Sequence, residues 1–302
     1  MQPAPYCHEC GGTVCYVDDS TYSVASADPV ALSGALTEQY KVISEYMAAN
    51  KLVINADKTH LLVLGTRSMA EKRNLVSMQA DNHTILPSKQ EKLLGCIVSD
   101  NLKWREHILD NEQSMVRQLT SRVNALSMIS SRADFSTKLM LANGIVMSKV
   151  CYLIQLWGGC EGYLLHTLQV QLNKAARLVT GLSCFTSTKK LMDRCGWLTV
   201  KQLVVYQTNI LVHKTLLSSK PHYLHDRLSS DNNHMYRTRQ HSTGGIRMDQ
   251  TYRYKSDLPQ KSFRYRGAHN YNTIPAVIRT TRNMATFKTK LKRWLKMNTN
   301  PD

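Results

Sequence analysis

The sequence predicts an α+β fold, a partial antiparallel sheet followed by a mainly α-helical region. Three observations predict it. Short Val-, Thr- and Tyr-rich runs bounded by turn residues dominate the first hundred residues. From about Trp104 to Ser219 the apolar residues recur at helical spacing. The order hairpin, helix, hairpin, strand in the first part belongs to an antiparallel sheet with a helix against it, not to alternating βαβ units.

The elements follow in chain order. Gly12-Thr13-Val14-Cys15-Tyr16 and Ser20-Thr21-Tyr22-Ser23-Val24 read as two strands of a hairpin, with Asp18 and Asp19 at its tip. Adjacent carboxylates repel, so such a tip is stabilised by a cation. Mg²⁺ is the natural one, because it takes few protein carboxylates and completes its shell with substrate phosphates. On the residues alone, an Asp-Asp pair chosen only for turn propensity is the alternative. Asp28-Pro29 opens a helix whose apolar residues are Leu32, Leu36, Tyr40, Ile43 and Met47. It stops at Asn50, a residue that tolerates the left-handed helix end. Lys51–Ile54 reads as a strand, Asn55–Lys58 as a turn and Thr59–Leu64 as a returning strand. Lys92–Ile97 reads as one more short strand, bent at Gly95.

The helical part starts with a stripe of Ile108, Met115, Val116, Leu119, Val123, Leu126 and Ile129. Residues 135–157 are apolar nearly all round and read as a buried bundle helix. A third helix carries Leu164, Leu165, Leu168, Leu172, Ala175, Ala176 and Val179 and is capped by Gly181. A short helix before Gly196 and a long one over Val200–Leu217 complete the set. These stripes are read as packing surfaces. In the tail, residues 231–234 and 241–245 read as loops. Tyr252-Arg253-Tyr254-Lys255 and Phe263-Arg264-Tyr265-Arg266 interleave rings and cations. That pattern suits stacking on single-stranded nucleic acid, with Arg253, Lys255, Arg264 and Arg266 on phosphates, and equally suits an edge strand protected by charge. An amphipathic helix with Phe287, Leu291, Trp294 and Leu295 closes the chain.

Three of these segments, taken together, resemble the reverse transcriptases of non-LTR (jockey-like, LINE-type) retrotransposons. Tyr16-Val17-Asp18-Asp19 resembles their metal-binding palm hairpin. Asn50–Thr59 resembles the following palm motif, in which an Asn, a Lys and a Thr recur. Lys92-Leu93-Leu94-Gly95, followed by Asp100, Leu102, Trp104, His107 and Ile108, resembles the primer grip leading into the thumb. Tyr271–Pro275, Ile278-Arg279 and Phe287-Lys288 resemble the closing segment of these reading frames. The resemblance implies RNA-directed DNA polymerase activity, with Asp18 and Asp19 holding Mg²⁺ (or Mn²⁺) and Lys58 donating a proton to the pyrophosphate leaving group. A solvated turn lysine is the plain alternative for Lys58. Leu93, Leu94 and Gly95 would grip the primer. RNA template, DNA primer and deoxynucleotides are the implied partners. In the family another palm Asp and the fingers lie upstream of the hairpin, and here fifteen residues precede Tyr16. The expectation is therefore the C-terminal part of such a polymerase, inactive alone. Its divisions are a partial palm over 1–104, a helical thumb and connection over 105–220, and a basic tail over 221–302.

Composition agrees. The chain of 302 residues has a formal charge of +17 and a pI near 9.6, which suits a polyanionic partner. Residues 231–302 hold fifteen Lys/Arg against four Asp, a net +11 of that +17. No run of eighteen apolar residues argues for a membrane span, and the first residues show no signal-peptide pattern. The eight scattered cysteines read as reduced thiols of an intracellular protein, nuclear or cytoplasmic and not secreted. Cys7 and Cys10 have chelating spacing, but no second closely spaced pair follows, so a loop is the reading there. A non-catalytic, basic nucleic-acid-binding helical protein derived from the element is the alternative function.

Overall fold

Asp28 starts the first helix as its sequence suggests. In the computed structural model its carboxylate accepts from the backbone N–H of Val30 (3.3 Å) and Ala31 (3.1 Å), and α1 runs Pro29–Ala49. The structure describes residues 12–16, 19–65, 69–81, 83–229, 246 and 258–298, and the chain divides into two compact units, 1–106 and 107–302. At the far end of α1, Asn50 is not left-handed (φ −90°). It caps with its side chain, Nδ2 donating to the Tyr46 carbonyl at 2.8 Å, and the left-handed residue is Lys51 (φ 59°).

In the first unit the strands are β1 (Gly12–Tyr16), β2 (Asp19–Ser23), β3 (Leu61–Leu62), β4 (Met78–Ala80), β5 (His83–Ile85), β6 (Pro87–Ser88), β7 (Gln90–Leu93) and β8 (Cys96–Ser99). Among the described residues they form four separate two-stranded ribbons, and no continuous palm sheet is present. Pairings β1–β2, β4–β5 and β7–β8 are antiparallel, while β3 pairs with β6 in parallel. Three strand expectations are thereby corrected. Lys51–Ile54 is not a strand: the left-handed Lys51 turns the chain, and Val53 is 97% exposed with no face to bury. Thr59–Leu64 shrinks to two paired residues, which partner 87–88 instead of 51–54. Lys92–Ile97 is a hairpin, not one strand. Leu94 (φ 48°) and Gly95 (φ 77°) form its two-residue turn, and two positive φ angles are what a type I′ turn requires.

The short helix α2 (Ala70–Asn74) precedes β4, and α1 covers the core of this unit. Tyr40 packs with Leu61, Val63, Val76, Met78 and Ala80, flanked by Leu32, Leu36, Ile54 and Ile85. Hydroxyls of α1 reach the chain of β4: Ser33 accepts from Ser77 N–H and Thr37 from Gln79 N–H, both at 3.1 Å. These bonds satisfy backbone donors that a two-stranded ribbon leaves open. Arg73 ties α2 to the end of β8, its guanidinium 3.2 Å from the Asp100 carboxylate and 2.7 Å from the Asp100 carbonyl.

The second unit is helical. Its elements are α3 (Met115–Ser130), α4 (Phe135–Ala142), α5 (Ser148–Cys151), α6 (Ile154–Trp157), α7 (Gly162–Thr180), α8 (Thr188–Cys195), α9 (Val200–Ser218), α10 (His222–Ser229), α11 (Leu258–Lys261), α12 (Phe263–Thr273), α13 (Ala276–Arg279) and α14 (Met284–Asn298). Helix α7 packs on α3 and α8, and α9 packs on α6, α12 and α14. Leu119, Leu126, Leu164, Leu168, Leu172, Trp157 and Phe287 are wholly buried, so the stripes read from the sequence are the core. Gly181 (φ 67°) and Gly196 (φ 69°) end α7 and α8 in the left-handed conformation, as expected. Two expectations fail here. Ile129 is exposed. The continuous helix over 135–157 is broken: a π-helical turn occupies Asn143–Met147, and the chain leaves helical geometry at Tyr152 and Leu153 (φ 52°). Gly158 explains the tight entry onto α9, since a Cβ there would meet Val204 Cγ1 at 2.7 Å and the Ile154 carbonyl.

Candidate active-site hairpin

The β1–β2 ribbon pairs Gly12 with Ser23 at its open end and Tyr16 with Asp19 at its tip. The Ser23 hydroxyl holds the open end, accepting from Gly12 N–H and donating to the Gly12 carbonyl, both at 3.1 Å. Alternation along the strands puts Val14, Tyr16, Asp19 and Thr21 on one face and Thr13 and Tyr22 on the other. Val14 and Tyr16 are exposed, whereas partial burial raises the pKa of the Tyr22 phenol. Asp19 is exposed next to Tyr16, and among the described residues no hydrogen bond or ion pair occupies its carboxylate. Asp18 lies outside the described residues, one position before the start of β2. Asp19 therefore stands exposed at the ribbon tip. Among the described residues no group of three or more His, Cys, Asp or Glu side chains is placed to share a metal ion.

Lys58 stands in a tight turn built around Asn55. The Asn55 side chain accepts from Asp57 N–H (3.0 Å), and its carbonyl accepts from Lys58 N–H (3.1 Å) and the Thr59 hydroxyl (3.0 Å). The Asn, Lys and Thr types picked out in the sequence are thus joined in one 3₁₀ turn, with the Lys58 ammonium exposed. Among the described residues no hydrogen bond or ion pair joins Lys58 to Asp19. Leu93, Leu94 and Gly95 sit at the tip of the β7–β8 hairpin, with Leu93 43% and Leu94 41% exposed. An exposed leucine held at positive φ is a costly choice for a turn, and strain of this kind concentrates where a surface is used.

In the tail, Arg253 and Lys255 lie outside the described residues. Phe263–Arg266 is neither an edge strand nor an extended stacking segment. It is the first turn of α12, whose N-cap Ser262 accepts from Tyr265 N–H at 3.4 Å. Arg264 is exposed on that helix. Arg266 is held inside the protein, donating to the carbonyls of Lys261 (2.9 Å), Gln155 (2.8 Å) and Leu156 (3.4 Å). The sequence gives no sign of this staple, because two of its three acceptors are backbone atoms more than a hundred residues away. It also gives no sign of His213, which stacks on Phe287 at 3.7 Å and meets the Tyr271 hydroxyl and the Thr281 carbonyl, each at 2.9 Å. A carbonyl can only accept, so Nε2 carries the proton and Nδ1 accepts from Tyr271. Burial lowers the His213 pKa and pushes the Tyr271 phenol up to about 12, which keeps both neutral. Burial likewise raises the thiols of Cys160, to about 12, and Cys195, to about 11, so these are inert side chains.

Comparison with protein-family models, curated proteins and solved structures finds no match to this chain. Among the described residues no helix is long and apolar enough to cross a membrane.

Proposed function

We propose that this chain carries the catalytic-hairpin, primer-grip and thumb region of an RNA-directed DNA polymerase of the non-LTR retrotransposon type. The observation that carries the reading is the β1–β2 ribbon, which presents Asp19, the residue after Asp18 in the chain, at its tip, with no partner among the described residues taking up the Asp19 carboxylate. Two adjacent carboxylates fit Mg²⁺ or Mn²⁺, which take few protein oxygens and leave room for substrate phosphates. That ion would offset charge on the transferring phosphoryl group. Lys58 would give a proton to the departing pyrophosphate, and the Leu94–Gly95 turn would press against the primer. RNA template, DNA primer and deoxynucleotides are the partners of this reading, in the nucleus or cytoplasm. The net +11 over residues 231–302 favours a second reading, a basic helical protein that binds nucleic acid without catalysis.

A photocrosslinking experiment separates the two. A DNA primer with a 3′-terminal 5-iododeoxyuridine is annealed to an RNA template, bound to the full chain and irradiated. The polymerase reading expects crosslinked peptides within residues 12–23 and 90–99. Crosslinks confined to residues 107–302 would support the second reading instead.

A further inference from the structure

The closing helix α14 does more than pack. Phe287, Leu291 and Leu295 bury one stripe of it, and the adjoining stripe is Lys288, Lys292 and Lys296. These lysines, with Arg293, line a shallow open cleft of about 420 Å³ whose other wall includes Gly196 and Tyr206. Among the described residues, no carboxylate lies within ion-pair distance of Lys288, Lys292 or Arg293, and Lys296 has only Asp193, at 3.6 Å. Lys290, on another side of the helix, is turned to the Thr281 hydroxyl instead. Three lysines at i, i+4 and i+8 repel along a helix. Partial burial and the neighbouring Lys296 lower the pKa of Lys292. Lys288 and Lys292 thus present their charge with no protein counter-ion among the described residues.

We propose that the Lys288–Lys292–Lys296 row is a docking site for the phosphodiester backbone of single-stranded nucleic acid, with Tyr206 stacking on a base. Geometry favours a strand over a compact anion. The row extends ~12 Å along the helix, eight residues at 1.5 Å each. A stacked strand carries one charge per ~3.4 Å of its axis, so a strand lying along the row in that form faces about three phosphates. Cationic side chains alone would serve any polyanion, but a half-buried aromatic ring beside the cationic track adds a surface on which a base can stack. The site lies wholly in the helical unit and does not depend on metal at the hairpin.

The test is fluorescence anisotropy of the full chain with an oligo(U) 20-mer over a series of salt concentrations. Replacing Lys288, Lys292 and Lys296 together by Gln should lower the slope of log affinity against log salt by about 2, the share of about three contacts, and weaken binding at least about tenfold at 0.1 M salt. The same three positions changed to Arg should keep the slope, which shows that charge rather than helix integrity is read. Tyr206→Leu should weaken oligo(U) binding and leave the slope unchanged, because stacking releases no counterions. A charge-matched control, Lys138, Lys174 and Lys190 to Gln, should leave the slope within half a contact of wild type. The proposal is overturned if the control lowers the slope as much as the row does. It also fails if the row can be neutralised without effect, or if polyglutamate competes as well as unlabelled RNA. Loss of RNA binding with crosslinking at the hairpin retained would leave the polymerase reading standing. The reverse result would remove that reading and keep this site.

Discussion

Gly158 marks the tightest contact between α6 and α9. A methyl group there would collide with Val204 and with the Ile154 carbonyl, and backbone cannot swing away as a side chain end could. Gly158→Ala should therefore cost about 1–3 kcal/mol, read as a lower urea midpoint for the helical unit. His107 makes a second prediction at this scale. It is almost fully buried, and burial, followed by the nearby Lys149 charge, lowers its pKa to about 4. An unfolded histidine takes up its proton near pH 6.5, so between pH 6.5 and 4 the unfolded chain binds more protons than the folded one. Stability should thus be full above pH 6.5 and fall as the pH drops towards 4, by up to about 3 kcal/mol from His107. The pKa of His213 is lowered too, so it adds to the loss in the same direction. Urea melts at pH 7.5 and pH 5 check this. His107→Leu should flatten the difference between the two pH values, whatever it does to stability at either one.

The β7–β8 hairpin is the element where local strain and the proposed primer contact pull apart. Leu94 has a left-handed backbone that Asn or Gly would adopt at lower cost. Leu94→Asn should stabilise the first unit by roughly 1 kcal/mol while weakening the affinity for a primer–template hybrid, and both follow from a melt and a binding titration. A turn serving only the fold would show the gain without the loss. This hairpin also shows where sequence patterns carry and where they stop. Gly95 was visible as a bend, but Leu94 was not, because nothing in its side chain advertises a positive φ. Helix α1 was legible because Asp28, Pro29, a 3.6-residue stripe and Asn50 all agree. The 135–157 segment misled because a wholly apolar run carries no phase, and a break at Leu153 leaves no mark in hydrophobicity. The four-residue alternation at Phe263–Arg266 was too short to distinguish period 2 from period 3.6. Ser262 as N-cap and the buried Gly267, Ala268 and Tyr271 decide it for a helix.

At the scale of the whole molecule, residues 258–298 of the basic C-terminal segment are not an appendage. Tyr271, Phe287, Leu291 and Leu295 are buried, and α12 and α14 pack against α9. A chain cut at residue 231 should consequently lose the cooperative unfolding of the helical unit, seen as a broad, early transition in circular dichroism. Charge counting located the excess of Lys and Arg in this segment but not which of them face solvent. Arg266 is enclosed by carbonyls, while the Lys288 row is open. Two local structures at the candidate site were legible in residue type: the β1–β2 hairpin that carries Asp19, and the Asn55–Thr59 turn that contains Lys58. The central claim is that Asp18 and Asp19 hold a divalent ion at that hairpin. With so few protein ligands the affinity should be on the order of millimolar, and it should tighten when nucleic acid supplies phosphate oxygens. Fe²⁺-driven hydroxyl-radical cleavage of the full chain, with an RNA–DNA hybrid bound, tests this most directly. Backbone cuts within residues 12–23 that vanish in Asp18→Asn and Asp19→Asn, and that excess Mg²⁺ suppresses, are the predicted result. Cuts that ignore both substitutions, or that fall only in the helical unit, would contradict it.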